Sequence, residues 1–148
     1  MYRKILVPLE PREELIHLDY ARDLAQRSGA ELILLRVVTV MASDEAFFQQ
    51  IQVEVGSAGA RAKAEAEAQT ISLERRLCAR GLQARGAVIV SGKSEADAIA
   101  EYAATEGCDL IVLPTYQQSA LSRWFLGSLG DKVRQRSSVP VLFVRATT

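Results

Sequence analysis

Residues 94–114 read Ser94-Glu95-Ala96-Asp97-Ala98-Ile99-Ala100-Glu101-Tyr102-Ala103-Ala104-Thr105-Glu106-Gly107-Cys108-Asp109-Leu110-Ile111-Val112-Leu113-Pro114. Two periods follow one another inside this stretch. Ile99, Tyr102 and Ala103 recur at the spacing that gathers apolar side chains on one face of a helix. Ser94 with Asp97 three places on resembles a capping box, in which a hydroxyl and a carboxylate satisfy the free N–H groups of a first turn. Gly107 supplies the left-handed residue that closes such a helix. Directly afterwards Leu110–Leu113 is an unbroken apolar run, where a strand with one wet face would alternate. Helix, glycine, buried strand is the repeating unit of an α/β fold.

The unit recurs in both directions along the chain. Leu15, Leu18, Ala21 and Leu24-Ala25 form a helical stripe that stops at Gly29, and Leu32–Leu35 then runs past Arg36 into Val37-Val38. Ala66, Leu73 and Leu77 form a second stripe that stops at Gly81, before Ala87–Val90. Ala60–Ala68 adds high helix propensity and a small-residue face that lets a helix lie close to a neighbour. Ile5-Leu6-Val7, ended by Pro8, and Val141–Val144 bring the buried strands to five. Strands separated by helices need crossover connections, which make the sheet parallel with helices on both faces. The expected class is therefore α/β, doubly wound, in one domain spanning residues 1–148. Thr39–Gly59 reads two ways: Phe47, Phe48, Ile51 and Val55 fit a helical stripe, while Ile51, Val53 and Val55 fit an alternating strand.

The 148 residues contain 49% apolar and 24% charged side chains, with Lys plus Arg and Asp plus Glu both at 18. A chain of about 150 residues buries roughly 68–70% of its unfolded surface, enough for one core without a metal or disulfide staple. Zero net charge argues against a coat for nucleic acid or anionic membrane. The charge is uneven, however: after Thr115, Arg123, Lys132, Arg134, Arg136 and Arg145 face one acid, Asp131. Cys78 and Cys108 lie in runs that read as buried or half-buried, without a C-x-x-C spacing, and are read as inert core thiols. Ile5–Val7 is too short for the apolar region of a signal peptide, and no run approaches 18 apolar residues. A cytoplasmic protein is expected.

Ligands of open α/β sheets bind beyond the carboxyl ends of the strands, so the loops there carry the functional signal. Pro8-Leu9-Glu10-Pro11-Arg12 holds no glycine, which excludes a dinucleotide fingerprint, and its lone acid does not make a metal site. Glu10 has two readings, a ligand contact or a solvated acid favoured by the dipole of the first helix. Gly92-Lys93-Ser94 fails as a phosphate loop because its first glycine would fall on Ala87; Gly92 reads as a turn and Ser94 as a helix cap. His17, the single histidine, lacks a partner nucleophile or ligand cluster and is read as surface or second-layer packing. After Leu113-Pro114-Thr115, a long connection from Tyr116 to Leu126 carries Arg123, Trp124 and Phe125. Gly127-Ser128 then opens the last helix, with Asp131 at capping-box spacing. A helix start of this kind attracts anions through its free N–H groups and its dipole, or it is a serine cap alone.

Taken together, Ile5-Leu6-Val7-Pro8 with Glu10, Leu34–Val38, Asp109–Leu113, Leu126-Gly127-Ser128 and Val139–Val144 resemble the universal stress protein family over nearly the whole chain. The resemblance implies a sheet in the order 3-2-1-4-5, a homodimer, and in one branch of the family an ATP site. That branch carries a glycine at the strand end, a second after two residues, and Gly-Ser or Gly-Thr after nine more. The matching positions here are Pro114, Gln117 and Gly127-Ser128. Proline has no N–H to offer, and glutamine adds a side chain where backbone would approach phosphate. Glu10 matches the family's adenine-side aspartate, one methylene longer, and Val38 matches a residue that contacts adenine. The pattern is similar to the branch that does not bind ATP.

The expectation is a non-catalytic, dimeric stress-response module that acts through partner binding. Its nucleotide or anion candidates are Glu10, Val38, Gly127 and Ser128; no metal and no obligate cofactor are expected, though ATP or another adenine nucleotide remains the alternative ligand. That alternative is an ATP-binding member with slow hydrolysis. A relative of the adenine-nucleotide α-hydrolases is a third reading, against which the early glycine-rich loop is missing. The dimer is expected to form along the last strand through Val141, Leu142, Phe143 and Val144, because an open apolar edge demands a cover.

Overall fold

The computed structural model describes residues 1–12, 15–39, 58–116 and 129–146. Five strands, β1 (Lys4–Pro8), β2 (Glu31–Thr39), β3 (Ala84–Ser91), β4 (Leu110–Tyr116) and β5 (Val141–Ala146), form one sheet. Every pairing is parallel and the order is β3-β2-β1-β4-β5. The helices among the described residues are α1 (Ile16–Ser28), α2 (Ala58–Ala79), α3 (Glu95–Thr105) and α4 (Leu129–Arg136). Residues 40–57, where helix and strand patterns compete, lie outside the described residues.

Strand alternation divides the apolar side chains between two layers. Ile5, Val7, Leu32, Leu34, Leu110 and Val112 point to the layer closed by Leu18 and Ala21 of α1 and by Leu73 and Leu77 of α2. Leu6, Ile33, Leu35, Ile111 and Leu113 point the other way, toward Ile99 and Ala103 of α3 and Val133 of α4. The continuous apolar runs of β1, β2 and β4 follow from this double cover. The two outer strands differ from the expectation of five buried ones. Residues 84–89 of β3 and 141–144 of β5 are half-buried, and Val90 is exposed, because an edge strand lacks one neighbour.

Local chemistry ends the helices where the sequence places the stops. Gly29 adopts φ 73° and its N–H donates to the Ala25 carbonyl at 2.8 Å, while Gly107 adopts φ 70°. At the start of α3 the Ser94 hydroxyl accepts from the Asp97 N–H at 3.2 Å, the cap the sequence indicates. The Asp97 carboxylate pairs with Arg136 Nε of α4 at 3.2 Å, which ties the first turn of α3 to the end of the last helix.

Thr70 of α2 lies close to the sheet at Gly86 of β3. A Cβ at that glycine would stand 2.7 Å from Thr70 Cβ and 3.1 Å from the Thr70 carbonyl oxygen. The Gly86 N–H also donates to Glu74 Oε1 of α2 at 2.9 Å. A methyl group here forces α2 off β3, so Gly86→Ala should lower stability by about 1–3 kcal/mol in urea denaturation. Gly59, with open space around its Cβ direction, is the contrasting case. Gly59→Ala should be neutral or raise stability by up to about 1 kcal/mol.

Candidate functional site

The strand order reverses between β1 and β4, the place where open α/β sheets bind ligands. The β1–β2 register runs from Lys4–Glu31 to Pro8–Leu35, and the Leu9 N–H extends the ladder to the Leu35 carbonyl at 2.8 Å. The β1–β4 register stops at Leu6–Ile111. Beyond that pair no further β1–β4 partners follow, and the crevice expected of this sheet order has Glu10 on the β1 side and Pro114 on the β4 side.

Glu10 is buried, 5% exposed, and lies ahead of α1 rather than in its first turn. The reading of a solvated, dipole-favoured acid is thus corrected, because a side chain of α2 closes over the loop. Gln69 Nε2 of α2 donates to the Glu10 carbonyl at 2.9 Å and to the Arg12 carbonyl at 3.3 Å, and the Arg12 N–H closes a turn onto the Glu10 carbonyl at 2.8 Å. Arg12 Nη1 stands 3.4 Å from Glu10 Oε2. The other end of the Gln69 amide accepts from Arg36 Nη1 of β2. One glutamine therefore ties together β2, α2 and the loop after β1.

Val38 is buried near the carboxyl end of β2, in register with Val90 of β3 and on the same strand face as Arg36 by alternation. Pro114 is buried in β4 and in register with Val144. The Ile111 N–H donates to the Pro140 carbonyl at 2.9 Å, so odd-numbered residues of β4 direct their backbone groups toward β5. Alternation then turns the nitrogen of residue 114 toward the β1 side, past the end of the β1–β4 ladder. A missing donor at that point breaks no sheet bond, which explains how an inner strand tolerates proline. Gln117, Arg123, Trp124, Phe125, Gly127 and Ser128 lie outside the described residues. The described part of α4 begins at Leu129, with Gly130 packed beneath Phe143. Glu10, Val38 and Pro114 thus share the carboxyl edge of the sheet. Among the described residues no group of histidine, cysteine and acidic side chains is arranged to hold a metal ion.

The model of the universal stress protein family matches residues 1–145. The chain belongs to the universal stress protein family. Among solved structures, the universal stress protein UspA of Lactobacillus plantarum is similar with a TM-score of 0.78 and 22% identity, over 97% of this chain and 98% of that one. The hypothetical protein MJ0577 is similar with a TM-score of 0.77 and 25% identity, over 100% of this chain and 99% of the other. A universal stress protein solved in complex with cAMP has a TM-score of 0.69 and 23% identity, each chain being covered to 99%. A comparison with curated protein sequences gives no significant match.

In this universal stress protein the amino end of the sheet is fixed by backbone-to-carboxylate hydrogen bonds and ion pairs. Asp109 accepts from the backbone N–H groups of Arg3 and Lys4 at 2.8 and 3.2 Å, and Arg85 bridges Glu31 and Glu106 at 3.0 and 3.1 Å. The bond from Arg85 holds the Glu106 carboxyl below its ordinary range. Cys108 is buried and its thiol is pushed up to about 11 by desolvation, in keeping with an inert core thiol. Cys78 departs from that reading, being exposed beside the buried Leu77 on α2. Gln69 carries no motif, yet it and Thr70 occupy the Ala66–Leu73 stripe, where polar side chains signal an interior bond. Arg36, the one charge inside the apolar run of β2, is the matching signal.

His17 is fully buried, which decides against a surface position and in favour of packing. Its Nε2 lies 2.6 Å from the Pro8 carbonyl oxygen, so this nitrogen carries the proton and pins α1 to the end of β1. Burial lowers its pKa below the ordinary 6.5, outweighing the carbonyl bond and the nearby Glu10 charge. The unfolded chain therefore binds a proton near pH 6.5 that the folded chain resists. Stability from this group is complete above that pH and falls as pH drops through it, by at most about 1.4 kcal/mol per pH unit. Urea midpoints followed from about pH 7.5 down to about pH 5, a span that brackets the titration of an unfolded histidine, should decline. His17→Gln should flatten the decline.

Proposed function

We propose that the protein is a non-catalytic stress-response module of the cytoplasm that works as a homodimer and binds ATP weakly or not measurably. The observation that carries the nucleotide part is the buried Pro114, whose nitrogen faces the open side of β4 at the crevice. At that point a phosphate needs backbone N–H groups, and proline offers none while fixing φ. The adenine-side candidates Glu10 and Val38 are both buried near the carboxyl edge of the sheet, and a relative is known in complex with cAMP. Those two facts favour the second reading, an adenine-nucleotide binder, and the proline opposes it. Calorimetric titration of ATP should give weak or undetectable heat. Pro114→Gly with Gln117→Gly should strengthen binding by roughly ten- to a hundredfold, the worth of one charge-assisted hydrogen bond. Micromolar binding by the unmodified chain would overturn the assignment.

The dimer rests on β5, an edge strand whose Val141–Val144 segment is half-buried in the isolated chain. Phe143 is engaged internally as well, since its ring lies where a Cβ of Gly130 would stand, at 2.9 Å from Cε1. Replacing it tests folding along with assembly. The backbone gives a cleaner probe: Pro140 and Leu142 direct their groups toward β4, so residues 141, 143 and 145 direct theirs outward. Arg145→Pro removes an outward donor without touching the β4–β5 ladder. It should shift sedimentation from dimer to monomer, while Arg145→Ala stays dimeric; a dimer in both variants would place the interface elsewhere.

A further inference from the structure

We infer that a second ligand site, for a small organic phosphate, lies between α2 and the loop that follows β1. A cleft of about 590 Å³ opens there, and it is lined by Arg12 of the loop, Arg36 of β2 and Arg76 of α2. Glu65 is on its wall and Glu10 pairs with Arg12 beside it, so among the described residues three guanidinium groups meet two carboxylates. Glu10, Val38 and Pro114 are not among its lining residues, so it lies beside the crevice between β1 and β4, on the α2 side of the loop. Its size falls in the range of small-molecule pockets.

The cleft is organised by bonds already described. Arg36 is a half-buried charge on a strand face whose other members, Leu32, Leu34 and Val38, are apolar and buried. Gln69 accepts from Arg36, and through its amide nitrogen it holds the backbone of Glu10 and Arg12. Arg12 is steadied by Glu10 at 3.4 Å. Two guanidinium groups are thus positioned from the sheet side, and the exposed Arg76 reaches the cleft from the helix. Guanidinium forks match the paired oxygens of phosphate, and an ordered fork loses less freedom on binding than a free one. Leu15 and Leu73 supply an apolar wall beside these charges. A phosphate attached to a ring or short hydrocarbon body satisfies both surfaces, whereas bare phosphate satisfies one.

Titration of the full-length protein with phenyl phosphate and with inorganic phosphate tests this site. Phenyl phosphate should bind more tightly than inorganic phosphate, and Arg76→Glu should weaken it by about tenfold or more. Arg76 is exposed and outside both core layers, so this variant should keep the parent circular dichroism and urea midpoint. Ser128→Ala, a change at the sequence position that opens the last helix, should leave phenyl phosphate binding as it is. The site is disproved if Arg76→Glu binds like the parent, if Ser128→Ala abolishes binding, or if the parent binds neither phosphate. None of these outcomes depends on whether ATP binds.

Discussion

The uneven pairing of β1 governs the architecture of this molecule. Its hydrogen-bond ladder with β2 is followed to the end of the strand and one residue further, while its ladder with β4 ends at Leu6–Ile111. Parallel strands covered on both faces must be apolar throughout, and Ile5, Leu6 and Val7 supply the middle of both core layers at once. At the amino end the same strand is fastened to the α3–β4 corner by Asp109, which accepts from the N–H groups of Arg3 and Lys4. At the carboxyl end the register with β4 has stopped, and Pro8 and Pro114 offer no N–H to continue it. The β1–β4 seam is thereby fastened at its amino end and without ladder partners at its carboxyl end.

What stands on that open edge is divided in character. On the β1 side, Glu10, Arg12 and the end of β2 are held by Gln69 and Arg36, an interlocked set in which the carbonyl groups and charges are partnered. On the β4 side, the strand continues through Pro114 to Tyr116 in register with β5. A strand that continues gives rigidity, and a proline in it withholds a donor. The proposed weakness toward phosphate rests on that withheld donor. The guanidinium cleft behind the loop has the reverse chemistry, with charge gathered on the α2 side of the same Gln69.

Much of the fold was legible in the residues because it rests on local rules. Continuous apolar runs marked the strands, and Gly29, Gly81 and Gly107 marked helix ends, all three with positive φ in the structure. Ser94 was legible as a cap for the same reason. The order 3-2-1-4-5 was not local information and came through family resemblance, which the sheet topology bears out. The half-burial of β3 and β5 follows from that order: identical apolar runs are central or marginal depending only on which strand lies beside them. The surroundings of Glu10 and His17 escaped the sequence reading because both are enclosed by groups outside their own turn of chain, with the Gln69 amide over the one loop and the Pro8 carbonyl against the other side chain. Exposure of Cys78 beside buried Leu77 shows the same limit at the scale of one helical step.

The claim that matters most is that a universal stress protein fold is retained here while the phosphate side of its crevice has lost donors. It is tested most directly by releasing small molecules from the freshly purified, untreated protein with acid and identifying them by chromatography and mass spectrometry. The account predicts no adenine nucleotide in stoichiometric amount. An adenine nucleotide released at close to one molecule per chain would contradict it, and would mean that the crevice holds phosphate without the N–H that Pro114 lacks.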